Sequence, residues 1–272
     1  MAHRVGMLLQ ACLLALPLAT AQAQMAAATP GQWQFALTAY AYLPQISGSA
    51  SFPTASAGTD FNLSTQDILD HLKMTFMGSF DTHYGNGGFF ADALYLDLGA
   101  SKSAFRDFTI GNIGIPATAS ADTNLDMKSW VVTAAGEYRV ANEPAVTLDA
   151  LAGIRYLYLK QRLEWSITGA VGNIPPAAQS GTAELSDTHF DGIVGIKGQL
   201  RVSGDGRWSV PVYLDVGAGD SHLTWQGATG IAYKFGWGEF GALYRYIDFR
   251  LGSSGLKDLS IGGAMIGATF RW

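Results

Sequence analysis

Apolar and polar residues alternate along most of this chain. Between Gln32 and Leu43, Trp33, Phe35 and Leu37 alternate with Gln34, Ala36 and Thr38. From Val146 onward, Val146, Leu148, Ala150, Ala152, Ile154, Tyr156 and Tyr158 alternate with Thr147, Asp149, Leu151, Gly153 and Arg155. The last stretch puts Ala264, Ile266, Ala268, Phe270 and Trp272 on one face, and Gly263, Met265, Gly267, Thr269 and Arg271 on the other. A period of two, with one apolar face and one small or polar face, is a strand signature. Runs this long exceed the roughly five or six residues of ordinary strands. They suit the roughly nine to eleven needed to cross a bilayer at a tilt.

Ten runs are predicted, near 32–43, 73–84, 88–100, 123–139, 145–165, 185–201, 207–220, 222–235, 239–250 and 259–272. Tight links such as Gly85-Asn86-Gly87, Ala141-Asn142-Glu143-Pro144, Ser203-Gly204-Asp205-Gly206 and Gly236-Trp237-Gly238 alternate with long polar segments at 44–72, 101–122 and 166–184. Short turns on one side and long loops on the other mark a transmembrane barrel, with the termini and turns periplasmic and the loops extracellular. Closure follows from the solvent, because hydrocarbon leaves an open sheet edge unpaired. The fold class expected is all-β, a closed antiparallel barrel of about ten strands, with eight or twelve as the alternatives. Aromatics from Tyr40 and Tyr42 to Trp272 cluster near strand ends, where headgroups favour them.

Composition narrows the picture. Only 14% of the 272 residues are charged and 48% are hydrophobic, which suits neither a disordered chain nor a nucleic-acid binder at net charge −5. The 33 glycines fit a narrow interior that admits small lumen-facing residues. Val5 to Leu18 is an apolar stretch after Arg4, and Ala21-Gln22-Ala23 is a small-x-small cleavage site. Residues 1–23 are therefore expected to be a cleaved signal peptide, with 24–272 a single barrel domain in the outer membrane. The one cysteine, Cys12, lies in that leader. Ser64 to Leu72 breaks the alternation and predicts a short helix capped by Ser64 or Thr65, with Ile68, Leu69 and Leu72 on one face. It either packs on the rim or folds into the lumen.

Several stretches resemble a group of Gram-negative outer-membrane barrel proteins to which no activity is assigned. They are Tyr40-Ala41-Tyr42-Leu43-Pro44, Asp67 to Leu72 leading into Phe76-Met77-Gly78, Ala91 to Leu98, Ala152 to Tyr156, Asp215-Val216-Gly217 with Leu223 to Gln226, Tyr244 to Asp248, and Gly262 to Trp272. The closing Phe270 and Trp272 are similar to the signal by which such barrels are recognised for assembly. The resemblance implies a fold and a location, and no reaction.

Candidate chemistry is sparse. Asp81-Thr82-His83 and Asp187-Thr188-His189 each put an acid and a histidine on one strand face. This is similar to the acid–histidine pair of omptin proteases, but the chain has no Asp-x-Asp to complete such a site, and the two pairs fall at opposite ends of the barrel. No histidine is followed two residues later by serine, as outer-membrane lipid hydrolases would require. Metal-ligand spacing is absent, and no metal or cofactor is expected. The glycine-rich face carries Asp149, Arg155, Asp191, Lys197, Asp215, Arg245 and Arg271 into the lumen, with Asp97 a further candidate. Mixed signs suit paired charges better than a one-sign selectivity ring. The expected role is a non-catalytic surface scaffold, with a narrow porin-like channel as runner-up and an outer-membrane hydrolase third. Expected partners are outer-membrane lipid, lipopolysaccharide and the barrel-assembly machinery, with no nucleic acid.

Overall fold

The computed structural model describes residues 31–50, 59–101, 120–168, 179–252 and 256–272. The expected signal peptide lies outside the described residues, as do 51–58, 102–119 and 169–178 of the long loops. The elements are β1 (Trp33–Ala50), β2 (Thr59–Leu63), α1 (Thr65–His71), β3 (Leu72–Tyr84), β4 (Gly87–Ser101), β5 (Ser120–Asn142), β6 (Val146–Thr168), β7 (Gln179–Arg201), β8 (Trp208–Gly219), β9 (Leu223–Lys234), β10 (Glu239–Arg250) and β11 (Leu256–Arg271).

Ten strands form a closed antiparallel barrel, as the alternation predicted. From β3 to β11 each pairs with its chain neighbour, β3 pairs with β1, and β1 closes the ring on β11 from Ala36↔Arg271 to Ala50↔Leu256. The eleventh strand, β2, pairs only with the top of β1. Strands β5, β6 and β7 each run 23 residues, and they extend a few residues beyond the expected runs, over 120–122, 166–168 and 179–184 of the segments expected as loops. At roughly 3.3 Å per residue they outreach the bilayer. Their outward faces turn polar there, with exposed ion pairs Lys160–Glu184 and Arg162–Glu164.

The outer surface below that level is apolar. Leu37, Ile154, Val194, Leu214, Val216, Ile231 and Ile266 are all exposed. So continuous a patch would be untenable in water and fits acyl chains. Aromatic pairs border it at both ends. Tyr95–Trp130 (4.5 Å between centroids), Tyr156–Phe190 (4.8 Å) and Trp225–Tyr246 (5.1 Å) lie towards the extracellular side. Trp33–Tyr84 (5.3 Å), Trp208–Tyr233 (4.8 Å) and Trp237–Phe270 (5.3 Å) lie at the periplasmic end.

Tyr40 and Tyr42 depart from the expected girdle. Both share the face of Ala36, which is buried, and they point into the lumen, where their hydroxyls bond Asp92 (2.7 Å) and the carbonyls of Arg245 and Ile261 (3.0 Å each). Strand parity, fixed by Trp33 and Leu37 outside, overrides the interfacial preference of tyrosine. The same parity puts Asp97 outside, beside Tyr95 and Lys128, since its neighbours Leu96 and Leu98 are buried.

The short turns are well formed. In the β7–β8 turn the Ser203 hydroxyl (2.6 Å) and the Arg207 N–H (3.1 Å) both donate to Asp205, holding its carboxyl below the usual carboxylate range, and Gly206 takes φ +67°. At the other end, α1 begins with the Ile68 N–H donating to the Ser64 carbonyl (3.0 Å). Thr65 does not cap it. Its hydroxyl reaches instead to the carbonyls of Pro44 and Leu43. Ile68 is buried and Leu72 partly so, but Leu69 is 47% exposed, so the predicted apolar face is narrower than expected.

Candidate functional site

Every inward position of a barrel strand is two residues from the next, so the lumen is a stack of layers supplied by alternating residues. The lowest charged layer centres on β3, β5, β6 and β7. The Asp81 carboxylate faces His83 Nδ1 at 3.1 Å on its own strand and also holds the Lys197 ammonium from across the barrel. Lys197 reaches Glu137 at 2.8 Å and lies 4.3 Å from the centre of the Phe90 ring. Arg139 donates to both oxygens of Asp149 (2.8 and 3.0 Å), and its second guanidinium nitrogen lies 3.2 Å from His83 Nε2. Asp81, His83 and Glu137 are close enough together to hold a metal ion, a grouping the sequence spacing did not predict. Lys197 already pairs with Asp81 and Glu137, and Arg139 lies against His83.

The next layer is a crosspiece. Arg155 on β6 is fully buried and meets Asp215 on β8; it also donates to Thr224 Oγ1 and Gln226 Oε1 on β9 at 3.1 Å each. Arg245 on β10 donates to Asp92 Oδ1 on β4 (2.6 Å), to the Tyr40 hydroxyl on β1 (2.9 Å) and to the same Gln226 oxygen (3.1 Å). Gln226 thus ties the two arginines together, and one hydrogen-bonded chain crosses the lumen from β6 to β4. Both aspartates have almost fully buried side chains.

Above the crosspiece the lumen is largely apolar, although Ser129, Gln161 and His189 are buried among its inward positions. Tyr42, Ile46, Met77, Leu94, Leu96, Leu98, Met127, Val131, Leu157, Leu159, Ile247, Phe249, Leu259 and Ile261 form one buried cluster, and Ile68 of α1 is part of it. The helix therefore contributes to filling the barrel. Below the crosspiece a cavity of about 260 Å³ remains, between Phe90, Tyr213 and Lys197 on one side and Ala228, Ala232 and Gly241 on the other. Its lowest lining residues, Thr147, Gln199, Glu239 and Arg271, stand within two residues of their strand ends on the periplasmic side.

The predicted lumen charges divide accordingly. Asp149, Lys197, Arg155, Asp215 and Arg245 sit in the two charged layers. Arg155 does not pair with Asp191, its register partner. Asp191 instead accepts the Ser221 N–H (2.8 Å) at the top of the barrel. Arg271 lies at the periplasmic mouth, 3.6 Å from Glu239 and half exposed. Asp187 and His189, 3.0 Å apart, lie far up β7 from the Asp81–His83 pair. Phe270 and Trp272 face outward, and the Trp272 backbone bonds Phe35 in both directions. Sequence reasoning missed Asp92, Glu137, Arg139 and Gln226, although each lies on the inward parity of its strand.

No family model and no curated protein matches the chain. Among solved structures it is similar to the outer membrane protease OmpT of Escherichia coli, at 8% identity and TM-score 0.52, covering 89% of this chain and 97% of that one. The translocator domain of the autotransporter NalP from Neisseria meningitidis matches at 17% identity and TM-score 0.41, over 90% of this chain and 89% of that one. Ail, the attachment invasion locus protein of Yersinia pestis, matches at 12% identity and TM-score 0.32, over 90% of this chain and all of the other. The likeness is one of fold: this chain shares the closed antiparallel β-barrel architecture of that outer-membrane protease.

Proposed function

We propose that the protein is a non-catalytic barrel of the outer membrane, exported through a cleaved leader, that carries its extracellular extensions on a closed body. The observation that carries this reading is the double seal of the lumen. The Asp215–Arg155–Gln226–Arg245–Asp92 crosspiece spans the interior, and the largely apolar cluster above it offers water few partners. A hydrolase would need a reacting group open to substrate, whereas His83 is 4% exposed and held by Asp81 and Arg139. Outer-membrane lipid, lipopolysaccharide and the assembly machinery, which would read Phe270 and Trp272, are the partners this body suits.

A narrow channel is the second reading, favoured by the periplasmic cavity. In that case the crosspiece would have to open. Planar-bilayer recording of the purified protein separates the two. Silence is expected, and stable, reproducible conductance steps would replace the scaffold with the channel.

A further inference from the structure

The ladder joining β1 to β3 stops early. It runs from Trp33↔Tyr84 to Ala39↔Gly78, although β3 stays paired with β4 up to Leu72↔Leu98 and β1 stays paired with β11 up to Ala50. Pairing on this flank of β1 resumes only at Ile46, and there with β2. Residues 40–45 of β1 therefore face residues 72–77 of β3 across an unzipped seam. Hydrocarbon penalises unpaired backbone groups heavily, so an open stretch of barrel wall needs a reason.

The residues at the seam are suited to leaving it open. Pro44 has no N–H to strand there. The ladder of β3 with β4 shifts register between Leu72 and Met74, a bulge or irregularity that takes this end of β3 out of regular pairing. The Tyr42 N–H is met at 3.2 Å by the Met77 sulfur in place of a carbonyl. The Thr65 hydroxyl of α1 donates to the carbonyls of Pro44 (3.1 Å) and Leu43 (3.4 Å).

Both sides of the seam are largely apolar, although Gln45, Lys73 and Thr75 on its two strands are polar and exposed and Lys73 pairs with Asp126. Outside it stand Leu43, Met74 and Phe76, all exposed. Phe76 pairs in register with Tyr95, which packs at a tilt against Trp130 in the extracellular girdle. Inside it are Tyr42, Met77, Ile68 and Leu94 of the buried cluster. An occupant arriving from the aqueous outside meets α1, and one from the periplasm meets the crosspiece. The direct approach is from the lipid. Methionine on both faces gives a wall that adapts to an irregular flexible chain.

We propose that the β1–β3 seam is a lateral site in which one aliphatic chain of an outer-leaflet lipid passes through the barrel wall and packs against Tyr42, Ile68 and Met77. This goes beyond the closed-scaffold reading, since the seam opens onto the bilayer and not across it. The lipid's polar end stays at the girdle, beside the β1 backbone groups that lack a β3 partner.

The test reconstitutes the folded protein in phosphatidylethanolamine–phosphatidylglycerol vesicles containing palmitic acid with a diazirine near its chain end. Irradiation and peptide mapping are expected to place adducts on the inward residues Tyr42, Ile68, Met77 or Leu94 as well as on lipid-facing Leu37 and Ile154. In A41C/F76C the new thiols stand where the ladder would next have paired two outward residues, and the only native cysteine is Cys12. Oxidation should abolish the inward adducts, spare the outward ones and be reversed by reductant. Inward adducts missing from the wild type, or unchanged on oxidation, would overturn the proposal. If the bridge does not form, the wild-type map decides alone.

Discussion

Replacing Arg155 with methionine tests whether the crosspiece is a dry, load-sharing layer. Its guanidinium meets Asp215, donates to Thr224, Gln226 and Thr133, and lies 6.0 Å from the centre of the Phe249 ring. Methionine keeps much of the volume and none of the donors. Asp215, whose side chain is 0% exposed, would then hold a charge with no cation beside it. Removing one partner of a buried pair costs about 3–5 kcal/mol, because the other charge is left uncompensated. With a urea slope of roughly 1–3 kcal/mol per M, the unfolding midpoint should fall by about 2 M. Tryptophan fluorescence of detergent-folded protein, titrated with urea, measures it. R155M/D215L should unfold much nearer the wild type than the two single losses added together, since the two sites are coupled by contact. An R155M midpoint equal to wild type would mean that water already solvates Asp215, and the seal inferred from this layer would fail.

Other outcomes can be checked with the same preparation. Folded protein should migrate differently on gels before and after boiling, and mobility indifferent to heating, with solubility free of detergent, would refute the membrane barrel. Gly153→Ala should lower the urea midpoint, because a Cβ there collides with the Ala134 carbonyl and the Ala135 backbone. Gly204→Ala in the periplasmic turn, where nothing lies within 4 Å, should leave it unchanged. Ile68→Ala should cost about 2–5 kcal/mol if α1 fills the lumen as described, and close to nothing if the helix merely rests on the rim.

Much of the barrel was legible because period-two alternation states both where a strand runs and which face meets lipid. The parity read from Trp33, Phe35 and Leu37 already put Tyr40 and Tyr42 inside, and the preference of tyrosine for headgroups concealed it. The lumen partners were harder to read. Alternation shows that Arg155 and Arg245 point inward, but the acid each one meets depends on the diameter and shear of the closed ring. Arg155 passes over its register neighbour Asp191 to reach Asp215, and Arg245 crosses to Asp92, a residue that reads in sequence as one polar interruption of an apolar run. The apolar stopper was hidden for a related reason. Leu94, Leu96 and Leu98 alternate with Tyr95 and Asp97, and only the fold shows that the leucine face is the interior. Pro44 was the visible sign of the seam, a proline inside a strand that its pairing with β11 keeps otherwise regular.

The uneven zipping of β1 also bears on how the chain becomes a ring. β1 is joined to the sequence-distant β11 from Ala36 to Ala50, but to β3, its nearer partner in the chain, only from Trp33 to Ala39. Most of its ladder therefore cannot form until the last strand has been synthesised and delivered. Closure that depends on such distant residues makes for slow folding, because chain entropy is lost before the contacts that offset it are made. Until then the first strand is a loosely held flap, and its long free edge stays open to whatever escorts the chain into the membrane.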